Sequence, residues 1–307
     1  MRIAVIGAGG VGGAFGAALA KAGADVTFVA RGAHLEAMRR NGLRIEGGRG
    51  ETVINPAQAT DDPATIGAVD FVMFCVKLWD VESAGEAIRS LVGPTTAVIP
   101  FQNGIDAPER LVAILGKQAV MGGVAQISAT IAEPGVIRQT GTFMRLVFGE
   151  LDGGLSARGE AFHALCQKAG FDSTHSKRIQ TDLWLKFVLL ATNSGFTAAT
   201  RTAIGRLRDD PDIAPLMREA VAEAVAVGRA RGVALPEDVV DRTMAGTAGL
   251  PAPMLASMAH DLLRGGRLEL PWLSGKVVAL GRELGVPTPV HAMLYAVLKP
   301  FADGSRA

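Results

Sequence analysis

The chain has 307 residues, of which 49% are hydrophobic and 20% charged, and its formal net charge is +1. That length points to two domains with sizeable cores, and a balanced charge without a basic run excludes nucleic acid or an anionic membrane as the partner. Beyond the N-terminal segment the apolar uncharged stretches at residues 119–132 and 187–200 are too short to span a bilayer.

In chain order, the apolar run Arg2–Ile6 predicts a buried strand and residues 14–22 a helix. Between them stands Gly7-Ala8-Gly9-Gly10-Val11-Gly12, with Gly7, Gly9 and Gly12 at the G-x-G-x-x-G spacing. Gly7 permits the sharp strand-to-helix turn, Gly9 lets backbone approach a pyrophosphate, and Gly12 allows close helix–strand packing. The helix N-terminus then faces two phosphates. In this strand–turn–helix position the motif predicts dinucleotide binding. A secretory signal is the competing reading, but six glycines interrupt the run and it flows into a second strand at residues 25–30.

That second strand ends without the Asp or Glu that would hold an NAD ribose hydroxyl. Arg31 follows it instead. A guanidinium pairs with a 2′-phosphate that a carboxylate would repel, so the position favours NADP(H), although a solvated loop arginine would look the same.

Further on, residues 70–76 read as a strand buried on both faces, 81–91 as a helix and 97–101 as the next strand. Residues 119–124 follow as another strand, and 135–139 with 144–148, joined by a short turn, read as an antiparallel hairpin. This alternation predicts an α/β fold: an N-terminal Rossmann-type doubly wound parallel sheet over residues 1–177. Lys77 and Gln102-Asn103-Gly104 close two of its strands, where ligands of such sheets bind, though surface polar residues are common there too. Cys75 and Cys166 are far apart in apolar contexts and read as free thiols of a cytoplasmic protein. The five histidines show no metal-ligand spacing, so no metal site is expected.

After a last short strand at 171–175 the pattern becomes helical. Candidate helices cover 182–200, 212–231, 237–245, 253–264, 273–284 and 291–301, giving a mostly α-helical C-terminal domain over residues 178–307 that would serve as the substrate and catalytic domain. Its apolar helices could face each other or a second copy, so a homodimer is compatible with them. In the first helix Lys186 is a lone charge among apolar residues, and Asn193 and Thr197 fall within about 20° of its direction. A desolvated lysine has a lowered pKa and can donate a proton near neutrality; a lysine snorkelling from a core helix fits the pattern equally.

The N-terminal glycine motif, Arg31, Val76-Lys77, Gln102-Asn103-Gly104, Trp184-Leu185-Lys186, Ser257-Met258 with Asp261, and Gly266-Arg267-Leu268-Glu269 occur in the order seen in ketopantoate reductases. The chain resembles that family over nearly its whole length. The resemblance implies NADPH-dependent reduction of a 2-oxo acid to a 2-hydroxy acid, with Lys186 protonating the carbonyl oxygen as hydride arrives. It implies that Asn103 contacts both nicotinamide ribose and substrate, that Glu269 contacts cofactor and orders the site, that Ser257 binds the substrate carboxylate, and that Lys77 and the backbone near Ala129 line the cofactor groove.

The chain also departs from the family pattern. Asparagines common four and eight residues after the lysine are replaced by Leu190 and Ser194, with Asn193 shifted by one; Asn193 and Ser194 remain the candidate substrate contacts there. Leu270-Pro271 and Ser274-Gly275 replace the usual Ile-Asp and Asn-Gly, and Asp80 replaces a common glutamine. Loss of an amide from a pocket weakens discrimination steeply, which points to a less polar 2-oxo acid as the alternative substrate. A non-catalytic NADP-binding sensor is the alternative of another class.

Overall fold

The computed structural model describes residues 1–304. The chain divides into two compact units, Met1–Gln102 with Asp106–Gln180, and Asn103–Ile105 with the chain from Thr181 onward. The short segment Asn103–Ile105 thus groups with the helical unit.

The first unit runs β1 (Arg2–Ile6), α1 (Gly10–Lys21), β2 (Asp25–Val29), α2 (Gly32–Asn41), β3 (Leu43–Gly47), β4 (Thr52–Ile54), β5 (Gln58–Thr60), β6 (Phe71–Phe74), α3 (Val81–Ala87), β7 (Ala97–Pro100), α4 (Ala107–Leu115), β8 (Met121–Glu133), β9 (Val136–Glu150), α5 (Ala157–Lys168) and β10 (Asp172–His175). One sheet is wholly parallel, in the order β5-β2-β1-β6-β7. Strands β1, β6 and β7 are apolar and buried along nearly their full length, as strands covered on both faces must be. The connections leave β1 toward β2 on one side and return to β6 on the other, so the crevice beyond the ends of β1 and β6 is the switch point where such sheets bind ligands.

A second, mixed sheet has the order β10-β9-β3-β4, with β8 paired to β9. Helix α1 is pressed between the two sheets by its small residues. A Cβ added at Gly16 would lie 2.6 Å from the Phe28 ring, and one at Gly13 would lie 2.9 Å from Ile137. Those glycines therefore serve the packing of α1. Helical propensity alone would start the helix at residue 14; it starts at Gly10 because packing on both sides offsets the glycine penalty. Phe162 of α5 closes the core, with its ring 4.9 Å from those of both Phe71 and Phe148.

The expected hairpin of residues 135–139 with 144–148 is not formed. Residues 136–139 and 144–148 both lie in β9, and the antiparallel partner of each is β8. Thr140-Gly141-Thr142 reads as a turn, but Gly141, at φ +70°, is absorbed as an irregularity within the long strand. The chain reverses instead at Pro134-Gly135, where Gly135 takes φ +80°, the chemistry of a Pro-Gly turn. Likewise the strand expected at 119–124 is the start of β8 in the second sheet, and a single bridge joins Val120, just before it, to Val98 of β7.

The second unit is helical: α6 (Ile179–Thr200), α7 (Ile204–Arg208), α8 (Ile213–Ala230), α9 (Val239–Ala248), α10 (Ser257–Leu263), α11 (Ser274–Leu284) and α12 (Pro289–Leu298). Neighbours pack closely on α6 where glycines let them: Gly228 of α8 sits against Trp184, and Gly195 meets Leu294 of α12. The expected helix over 253–264 is shortened to α10 because Ala256 is extended, at ψ 157°. Helix α12 begins at Pro289, since proline is compatible with a first turn, and its amides at Val290 and His291 are capped by the Glu223 carboxylate at 2.8 and 3.0 Å.

Candidate functional site

In the first unit the glycine loop occupies the switch point. Gly7 takes φ +94°, and a Cβ there would meet the Cys75 carbonyl at 2.9 Å. The Gly7 and Ala8 amides both donate to the Val29 carbonyl, at 3.0 and 3.1 Å, which folds the loop back over the end of β2. A Cβ at Gly12 would be 2.2 Å from the Gly7 carbonyl, and one at Gly10 would be 2.0 Å from that of Ala129. A Cβ at Gly9 meets nothing within 4 Å. Gly7, Gly10 and Gly12 are thus required by the protein's own backbone, whereas Gly9 borders open space. The first turn of α1 adds amides without intrahelical acceptors and the positive end of the helix dipole. A cradle of this kind fits a dinucleotide pyrophosphate.

Val11 is half-buried on the first turn of α1. Arg31 is exposed at the N-cap of α2, in line with the end of β2. Lys77 is exposed after β6, with Nζ 5.5 Å from the Trp79 ring centroid. Gln102 ties this edge together: its amide nitrogen donates to the Phe74 and Val76 carbonyls at 2.9 and 3.0 Å. Ala129 is half-buried on β8, against Gly10. His34 of α2, which motif reading passes over, bonds the Ala8 carbonyl at 2.9 Å and the Gly135 amide at 3.0 Å. Its position three residues after Arg31 is the signal that could have marked it.

In the second unit three polar residues from distant segments form one line. Lys186 Nζ on α6 donates to Asn103 Oδ1 at 3.1 Å, and Asn103 Nδ2 donates to Glu269 Oε2 at 3.2 Å. Both bonds together fix which way the Asn103 amide points, because only its oxygen can accept from an ammonium. Burial lowers the Lys186 pKa to about 8, and the negative charge of buried Glu269 works against that fall. The result is a cation held near neutrality beside an oriented amide, the arrangement of a general acid.

The polar stripe on α6 divides. Lys186 turns to Asn103 and Glu269, whereas Asn193 is buried with its amide 3.4 Å from the Thr247 hydroxyl of α9. Thr197 donates back to the Asn193 carbonyl at 2.6 Å. Leu190, one turn on from Lys186, is half-buried. The Ser194 hydroxyl is wholly buried without a hydrogen-bond partner among the described residues, as is that of Ser274. Ser257 is exposed at the first residue of α10. Among the described residues no cluster of three metal-ligating side chains occurs, and no helix is long and apolar enough to cross a membrane.

Comparison with known proteins bears on the whole chain. The family described as "Ketopantoate reductase PanE/ApbA" matches residues 3–153, and its C-terminal counterpart matches residues 178–302. A 2-dehydropantoate 2-reductase of Mesorhizobium japonicum is 32% identical, with 98% of each chain covered. The crystal structure of a PanE/ApbA family ketopantoate reductase from Ralstonia eutropha JMP134 superposes with a TM-score of 0.90, at 32% identity over 98% of both chains. A D-mandelate dehydrogenase in complex with NADH and anilino(oxo)acetate also gives a TM-score of 0.90, over 98% of both chains, but at 20% identity it speaks for the fold alone.

Proposed function

This chain belongs to the ketopantoate reductase PanE/ApbA family, and from that premise we propose that it reduces 2-dehydropantoate to pantoate with NADPH. The observation that carries the reading is the line Lys186–Asn103–Glu269. The glycine loop of residues 7–12 would hold the dinucleotide, whose chemistry would be hydride supply to a carbonyl carbon. Lys186 gives its ammonium proton to the carbonyl oxygen as that oxygen becomes an alkoxide, and regains one from solvent after product leaves. Asn103 holds Lys186 in place through its amide oxygen, and Glu269 orients Asn103 while keeping Lys186 cationic. Ser257 would hold the substrate carboxylate. Arg31 would pair with the 2′-phosphate and select NADP(H) over NAD(H); Gly9, Gly10 and Val11 would offer amides to the pyrophosphate, with Lys77 and the Ala129 backbone bordering it. Pantoate made in this way would feed pantothenate synthesis in the cytoplasm.

A sensor that only binds dinucleotide has no use for a desolvated lysine held by an amide and a carboxylate, so the line favours turnover. A second reading concerns the substrate alone. Leu190 beside Lys186, and the engagement of Asn193 by Thr247, leave fewer polar groups for a substrate hydroxyl, which favours a less polar branched 2-oxo acid. Steady-state oxidation of NADPH and of NADH across a panel of 2-oxo acids tests both. Highest kcat/KM with ketopantoate and NADPH supports the first reading. Preference for an unhydroxylated branched acid supports the second, and no turnover with any 2-oxo acid contradicts both.

A further inference from the structure

His34 does more than join two elements. Its Nε2 lies 2.9 Å from the Ala8 carbonyl oxygen, and its Nδ1 lies 3.0 Å from the Gly135 amide nitrogen. A carbonyl can only accept and an amide N–H can only donate, so the ring is neutral, with its proton on Nε2. Burial pushes the His34 pKa below the usual histidine value, in keeping with a neutral ring. Both backbone groups of Ala8 are thereby engaged, its amide by Val29 and its carbonyl by His34.

The Ala8–Gly9 peptide is trans, and in a trans peptide the C=O and N–H point in opposite directions. With the Ala8 carbonyl held on the His34 side, the Gly9 amide is turned to the other side. Gly9 is also the loop glycine beside which a Cβ would find only open space. Glycine tolerates almost any φ, so nothing intrinsic to Gly9 keeps this peptide from flipping. We infer that His34 is a positioning residue that locks the Ala8–Gly9 peptide and so pre-sets the Gly9 amide for a dinucleotide phosphate. The inference rests on the dinucleotide reading of the loop.

Two substitutions separate this role from mere stitching of α2 to the β8–β9 turn. His34→Gln can set an amide nitrogen where Nε2 lies and keep the bond to Ala8, giving up the acceptor for Gly135. His34→Asn can keep the acceptor near Nδ1 and give up the bond to Ala8. NADPH affinity is read by fluorescence titration, and loop order by hydrogen exchange of the Gly7 and Ala8 amides, which donate to Val29, in the dinucleotide-free protein. Loss of one bond to the loop predicts NADPH binding about tenfold weaker in His34→Asn, with faster loop exchange, and binding close to wild type in His34→Gln. Equal affinities in both variants and the wild type, or loss in His34→Gln alone, would overturn the inference. Should neither variant fold, nitrogen NMR of wild-type His34 decides: an Nε2–H ring supports the lock, and an Nδ1–H ring overturns it. A wild-type protein that does not bind NADPH at all would overturn the dinucleotide reading itself, and the lock with it.

Discussion

The Lys186 ammonium donates to the side-chain oxygen of Asn103 across 3.1 Å, although 83 residues separate the two in sequence. The same amide donates in turn to Glu269. Asn103 is thus clamped between a cation and an anion, which fixes both its own orientation and the place of the Lys186 ammonium.

The pH dependence of turnover follows from Lys186. Its pKa is lowered to about 8 by burial, and on the proposed mechanism reduction needs the protonated form. The rate of 2-oxo acid reduction should be flat below that pH and fall about tenfold per unit above it. Oxidation of the 2-hydroxy acid needs the neutral amine on the same account and should rise about tenfold per unit up to that pH and level off above it. Stopped-flow rates in both directions check this, and parallel profiles for the two directions would contradict it.

Glu269→Gln removes the negative charge that holds the Lys186 pKa up, while retaining atoms able to accept from Asn103. The alkaline limb of the rate profile should move to lower pH, and the maximal rate should fall. An unmoved midpoint would show that Glu269 does not act on Lys186 through its charge.

Arg31 is exposed, so Arg31→Ala should leave the melting temperature nearly unchanged. If Arg31 pairs with the 2′-phosphate as proposed, the substitution should raise the NADPH KM about tenfold or more and leave that for NADH little altered. Equal losses for both coenzymes would place the selectivity elsewhere.

Two neighbouring glycines should respond differently to the same change. Gly10→Ala puts a Cβ 2.0 Å from the Ala129 carbonyl, a backbone atom that cannot step aside, so stability should fall. Gly9→Ala meets nothing in the protein and should fold normally, yet its methyl would occupy the space a pyrophosphate needs. Thermal melts together with NADPH titrations distinguish the two. A Gly9→Ala protein with unaltered affinity would mean the phosphates lie elsewhere.

Much of this arrangement was legible in the sequence because it is written in local patterns. Apolar strands β1, β6 and β7, the glycine turn and Lys186 on a long apolar helix each carry their own signal within a few residues. The β8–β9 hairpin was misread because Thr140-Gly141-Thr142 and Pro134-Gly135 both look like turns. Only pairing with β8 decides between them, and that pairing is not local. The short strands β4 and β5 carry too few residues for an alternation to show. The partnership of Asn193 with Thr247 depends on how α6 and α9 pack. For Asn103 and Glu269, sequence offered a family resemblance; that Asn103 is oriented by Lys186 and Glu269 together becomes visible only when three distant segments meet.

The measurement that bears most directly on the central claim is turnover of NADPH with the preferred 2-oxo acid by Lys186→Met, alongside its NADPH dissociation constant. If Lys186 is the proton donor, binding persists while the rate falls about a hundredfold or more. A rate within a few-fold of wild type would remove Lys186 from the chemistry and leave its line to Asn103 and Glu269 a structural one.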